Sequence, residues 1–147
     1  GSALVDILVH AGDDFLDAVG AVNGGMVYVD RERIERTVAQ AAAAPAVVPG
    51  GSACNTVVGV AQLGGAARFV GTCGRGPMGR FYEDSLRGRG VEPRLFRSDS
   101  PTGRVLSIIT PDAQRSMFTF LGAASETRPE DIRPESFAGA AGVHRAG

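Results

Sequence analysis

The chain has 147 residues, 44% hydrophobic and 21% charged, with a formal net charge of −1. That length argues for one domain with a core of its own. The near-neutral balance gives no electrostatic case for nucleic acid or an anionic membrane. No apolar run nears the roughly 20 residues of a bilayer span, and no charged, apolar leader pattern opens the chain, so neither a membrane span nor a signal peptide is expected.

Residues 3–9 read as a short buried strand interrupted by the carboxylate of Asp6. Residues 13–20 read as a short helix ending at Gly20, and 25–29 as a second strand. Asp30 caps a helix predicted over 31–43, with Ile34, Val38 and Ala41 on one face and the alanine run 41–44 as its tail; Pro45 stops it. Val47 and Val48 lead into Pro49-Gly50-Gly51-Ser52-Ala53-Cys54-Asn55. The helix that follows is apolar nearly all round, which predicts deep burial, and Gly64-Gly65 ends it. A strand at 68–71 precedes a helix opened by Pro77, with Met78, Phe81, Tyr82 and Leu86 inward. Residues 93–97 form a short strand. Residues 103–110 and 115–121 read as a hairpin across Pro111-Asp112-Ala113-Gln114. Strands alternate with helices before this hairpin, so the fold class is α/β with a mainly parallel sheet.

The two cysteines, Cys54 and Cys73, are too few for a disulfide framework and fit thiols in a reducing cytosol, hence a cytoplasmic protein. His10 and His144 lie far apart, so no zinc site is expected. All 15 basic residues are arginine, which removes lysine from any catalytic or phosphate-binding role.

Four places carry chemistry. Asp6 needs partners inside an apolar run; either it accepts from ligand hydroxyls at the strand's C-terminal end, or it caps nearby backbone N–H groups. Gly50 and Gly51 allow close backbone approach, Ser52 opens a helix whose first N–H groups can bind a polar ligand, and Asn55 adds an acceptor and two donors. A tight strand-to-helix turn accounts for the same residues. The 74–79 loop matches G-x-G-x-x-G, a dinucleotide-binding pattern, with Glu92 as the one candidate for its acidic residue. Finally, alternation puts Met117, Thr119 and Leu121 on one face of a strand begun by Arg115, and Phe118 and Phe120 on the other.

Taken together, these residues resemble the N-terminal part of the PfkB-type carbohydrate kinases, the ribokinase family, nearest its adenosine-kinase-like branch. Gly1-Ser2-Ala3-Leu4-Val5-Asp6 is similar to the family's Gly-Asn-x-x-x-Asp, with Ser2 in place of asparagine. Gly50-Gly51-Ser52-Ala53-Cys54-Asn55 is similar to its first signature, whose later glycines fall on Gly64 and Gly74. The hairpin and Leu121-Gly122-Ala123 resemble its substrate loop. The resemblance implies a ribokinase-like three-layer α/β sandwich over 1–147, present in part, with a small β lid from strands near 26–29, 46–48, 105–110 and 116–121.

It also implies ATP-dependent phosphorylation of a sugar or nucleoside hydroxymethyl group, with ATP and Mg as cofactors. Asp6, Ser2, Gly50, Gly51, Ser52 and Asn55 would hold the sugar, Met117, Thr119 and Leu121 would line the pocket, and Arg115 would touch phosphate or lid. The family's Gly-Ala-Gly-Asp run, which carries its catalytic base, has no counterpart after Gly122, nor do its ATP-binding segments, so no catalytic residue is assigned. This span then supplies the substrate clamp and lid. Two alternatives remain: a non-catalytic fragment or pseudo-enzyme that binds a sugar, nucleoside or partner, and a dinucleotide-binding module on the 74–79 loop. An exposed lid edge suggests a homodimer.

Overall fold

The computed structural model describes residues 1–146; the expected domain span ends on Gly147, outside them. The chain divides into two compact units.

One unit comprises Val5–Val48 and Arg104–Phe120. Its strands are β1 (Leu4–His10), β2 (Met26–Tyr28), β3 (Ala46–Gly50), β4 (Gly103–Ile109) and β5 (Arg115–Phe120). They form a five-stranded sheet in the order β2-β5-β4-β1-β3. The hairpin β4–β5 is antiparallel, with Ser107 opposite Met117 and Val105 opposite Thr119, while β2 runs parallel to β5.

Side chains alternate across a strand, and one face collects Ile7 and Val9, Leu106 and Ile108, and Phe118. These pack with Leu16 and Val19 of α1 (Asp13–Val19) and Ile34 of α2 (Arg31–Ala39) into one buried cluster. Both helices end as their caps dictate. Gly20 takes φ +63° at the end of α1, and the Asp30 carboxylate accepts from the Arg33 N–H at 2.6 Å at the start of α2. Arg33 lies over the Phe118 ring at 5.6 Å, and Arg104 pairs with Glu35 at 2.9 Å, so charged groups fasten α2 to the same face.

The other unit comprises Gly1–Leu4, Pro49–Gly103 and Leu121–Gly147. It holds α3 (Ser52–Gln62), α4 (Pro77–Gly88) and two parallel strands, β6 (Ala67–Gly74) and β7 (Val91–Ser98). Phe69, Cys73, Tyr82, Leu86 and Val91 are buried, and the Phe69 and Tyr82 rings meet edge-on, 5.6 Å apart. Three 3-10 turns follow, Gly122–Glu126, Pro129–Asp131 and Pro134–Phe137.

Three expectations need correction. The alanine tail is not helical: α2 stops at Ala39, where the Gln40 and Ala41 N–H groups turn back to the Thr37 and Val38 carbonyls, and Pro45 disfavours helix at Ala44. Helix α3 is not deeply buried among the described residues. Only Ala53 and Cys54 are buried, and Leu63, just past the helix, is 91% exposed, because α3 packs on one side, against the β6–β7 strands. Asp6 sits mid-strand in β1 and projects from a sheet face, not from a strand's C-terminal end.

Candidate functional site

The candidate residues fall into two sets, one in each unit. Ser2, Gly50, Gly51, Ser52, Asn55 and Leu121 belong to the α3 unit; Asp6, Arg115, Met117 and Thr119 belong to the five-stranded sheet.

In the first set, the sequence forces an unusual backbone at the start of α3. Gly51 is the N-cap, at φ +95° and ψ 137°, a conformation that side chains rarely take. A Cβ there would also lie 2.5 Å from the Ser2 carbonyl oxygen, so Ser2 and Gly51 are in direct contact. Gly51 has no side chain to cap the helix, which leaves the positive end of α3 open to a polar group. Ser52 and Asn55, both exposed, project from its first turn. The buried Tyr82 hydroxyl donates to the Gly50 carbonyl at 3.2 Å and fixes the turn from below. Tyr82 reads in the sequence only as an inward helix residue; its supporting role depends on a contact 32 residues away.

In the second set, alternation assigns the face. Ile7, Leu106 and Phe118 point toward α1 and α2, so Asp6, Val105, Ser107, Arg115, Met117 and Thr119 share the opposite side. Burial raises the Asp6 carboxyl above its ordinary range, and the Arg115 charge pulls it partway back. Asp6 and Arg115 stand on the same face, on strands separated by β4. Ser107 is buried beside Met117 and was missed in the sequence; its only signal is its strand position opposite a candidate residue. The Thr119 Oγ1 is buried without a hydrogen-bond partner.

The 74–79 loop does follow a strand and open a helix, with Pro77 in the first turn of α4. Two of its glycines, Gly74 and Gly79, serve packing, while Gly76 faces open space. A Cβ at Gly79 would collide with the Gly74 carbonyl. Glu92 pairs with Arg68 at 2.8 Å, near the starts of the parallel β6 and β7, whereas Gly74 lies at the other end. Six residues of strand separate Arg68 from Gly74, roughly 20 Å, so Glu92 cannot reach a ligand held by the loop.

A cavity of about 1050 Å³ lies between α3, β6 and the C-terminal turns, lined by Val57, Val60, Arg68, Phe69 and Phe137 among others. None of the candidate sugar-site residues lines it, though Glu92 does. Among the described residues, no group of three or more His, Cys, Asp or Glu side chains could hold a metal ion, and no helix is long and apolar enough to cross a membrane.

A glycine turn opening a helix, and a helix-backed sheet with a half-buried carboxylate on its other face, fit an α/β domain of the ribokinase-like kinase type. Solved structures agree. A probable sugar kinase from Rhizobium etli superposes with TM-score 0.81 at 35% identity, over 90% of this chain and 40% of that one. An adenosine kinase from Sinorhizobium meliloti gives 0.82 at 34%, over 92% and 42%. An aminoimidazole riboside kinase from Salmonella typhimurium is 38% identical over 91 residues, 58% of this chain and 28% of that protein. Residues 13–144 match the pfkB family carbohydrate kinases. The chain belongs to that family, and it spans less than half the length of these relatives.

Proposed function

We propose that this chain is the acceptor-binding part of a kinase that transfers a phosphoryl group from ATP to a hydroxymethyl group of a sugar or nucleoside. The match to the pfkB family over residues 13–144 carries this reading, because that span holds both the Gly50–Asn55 turn and the β4–β5 hairpin.

In the proposal, residues 1–147 form the substrate side of the domain and the five-stranded sheet is its lid. Asp6 accepts from ligand hydroxyls, and it is suited to this because it is half-buried, so each hydrogen bond from a ligand offsets desolvation of its charge. Gly50, Gly51 and Ser52 offer backbone, and Asn55 offers its amide. Ser2, which touches Gly51, is four residues from Asp6 along the chain. Met117, Thr119 and Leu121 line the pocket, and Arg115 contacts lid or phosphate. Holding the alcohol in place is a large part of catalysis in phosphoryl transfer. The family implies ATP and Mg²⁺. The two buried cysteines support a reading of a reducing, cytoplasmic setting.

Calorimetric titration with ribose, fructose and adenosine tests the reading. Saturable binding of one of them is expected, and no binding of any would overturn it. The second reading is binding of a sugar, nucleoside or partner without turnover; an ATP-dependent phosphorylation assay separates the two.

The lid edge is proposed to pair with a second copy. β2 ends the sheet, and Met26, Val27 and Tyr28 are 52%, 45% and 68% exposed. An open apolar edge invites strand pairing. Light scattering should give a dimer, and a strict monomer would remove the idea.

A further inference from the structure

The turn that feeds β2 carries the pair Asn23-Gly24, with Val22, Asn23 and Gly24 all exposed. The Gly25 N–H closes the turn on the Val22 carbonyl at 2.9 Å, and Gly24 takes φ +70°, a backbone that glycine adopts freely. The Asn23 side chain makes no hydrogen bond among the described residues. Its amide carbon is therefore open to attack, and no side chain on Gly24 shields the adjoining backbone nitrogen. That nitrogen is held at one point. Its N–H donates to the Ser116 hydroxyl oxygen at 3.0 Å, and Ser116, the second residue of β5, is 2% exposed. The chain has one other asparagine, Asn55. It sits inside α3, and the β-branched Thr56 follows it.

We propose that Asn23 is a site of spontaneous backbone modification and that Ser116 brakes it. The Gly24 nitrogen gives up its proton to water and attacks the Asn23 side-chain amide carbon. The new C–N bond closes a succinimide ring as ammonia leaves. Water then opens the ring. Opening at the side-chain carbonyl gives aspartate; opening at the backbone carbonyl gives isoaspartate, with the main chain running through the former side chain. Water enters, ammonia departs, and nothing is oxidised or reduced. Ser116 acts before the first step. An N–H donated to a buried acceptor must be released before base takes its proton, so the hydroxyl lowers the share of reactive nitrogen. The product acts at the edge of the sheet. Isoaspartate adds a methylene to the backbone of a closed turn, and that turn leads into β2, a three-residue strand paired on one side only. The Gly25 carbonyl, which accepts from the Met117 N–H at 2.8 Å, lies two residues beyond Asn23. Conversion therefore loosens β2 from β5, and the chemistry needs no ligand.

Peptide mapping by mass spectrometry tests this on the native chain, Ser116→Ala, Ser116→Thr and Asn23→Gln, each aged in mildly alkaline buffer. The native chain should gain the deamidation mass at Asn23 and not at Asn55, faster as pH rises, with the isoaspartate form resolved by chromatography. Ser116→Ala should convert about fivefold faster, the worth of one hydrogen bond. Ser116→Thr should stay close to the native rate, and Asn23→Gln should give no signal. In strong urea the native and Ser116→Ala chains should convert at one rate, because the brake acts through the fold. Should Ser116→Ala not fold, Ser116→Cys, whose sulfur is a weak acceptor, takes its place. Hydrogen exchange at Met26, Val27 and Tyr28 should be faster in the aged native chain than in the fresh one. No conversion at Asn23 while a Val-Asn-Gly-Gly peptide converts fully would overturn the site, as would faster conversion at Asn55. Equal rates in the folded native and Ser116→Ala chains, or a difference that persists in urea, would overturn the brake. Unchanged exchange in β2 after full conversion would overturn its loosening.

Discussion

The start of α3 is shaped by its backbone; the face of the five-stranded sheet opposite α1 and α2 is shaped by polar side chains. The first surface is shaped by what is missing, a Cβ at Gly51, and is held by Ser2 beside it and Tyr82 beneath it. The second is shaped by what is present and poorly satisfied, a desolvated carboxylate at Asp6 and an unpaired hydroxyl at Thr119. The difference predicts opposite responses to mutation. Damage to the backbone surface should cost stability and binding together. Removing polar groups from the side-chain surface should cost binding while the fold keeps or gains stability, the usual sign of residues retained for a ligand.

The largest effect is expected from Gly51→Ala. A side chain at φ +95°, 2.5 Å from a carbonyl oxygen, should lower stability by roughly 2–5 kcal/mol. A shifted urea midpoint with an unchanged slope is the check, and a neutral result would mean that the turn is not fixed as described.

Asp6→Asn should come next and pull in two directions. Loss of a charged hydrogen bond should weaken ligand binding by roughly 10- to 150-fold. Stability should rise at neutral pH. The folded chain holds the Asp6 proton more tightly than the unfolded chain, because burial raises its pKa and Arg115 only partly reverses this. The ionised carboxylate therefore lowers stability as pH climbs from the unfolded value through the folded one, and asparagine escapes that loss. Melting curves should show the variant higher at pH 7–8, with the gain shrinking as pH falls through the raised folded value and gone below about pH 4, the ordinary carboxylate range. A variant that melts lower at neutral pH would contradict the account of this face.

Tyr82→Phe removes the hydrogen bond to the Gly50 carbonyl. It should cost about 1–2 kcal/mol and weaken binding through the glycine turn, placing it with the backbone surface. Smallest is Asp30→Ala, which deletes the N-cap of α2. About 1 kcal/mol of stability should be lost with ligand affinity unchanged, since α2 lies behind the sheet. A clear affinity loss here would blur the division between the two surfaces.

The sequence made the backbone surface legible and left the other half read. Two glycines, a polar helix start and an asparagine form a contiguous run, and contiguous runs survive without coordinates. Caps at Asp30 and Gly20 and the proline at Pro77 likewise marked helix ends because each acts through its own neighbours. Alternation in residues 115–121 separated Phe118 from Thr119 correctly. What stayed hidden depends on partners distant in the chain: Asp6 coupled to Arg115, Ser107 opposite Met117, and Tyr82 under Gly50. The burial of α3 was over-read because an apolar sequence states a preference for burial but not which surface meets it; Val60 remains 42% exposed.

The central proposal is that the Asp6 carboxylate binds hydroxyls of a sugar or nucleoside. Titrating ribose, fructose and adenosine into Asp6→Asn beside the native chain tests it most directly. The variant is predicted to lose at least about tenfold in affinity for the compound that the native chain binds. Unchanged affinity in the variant would contradict it.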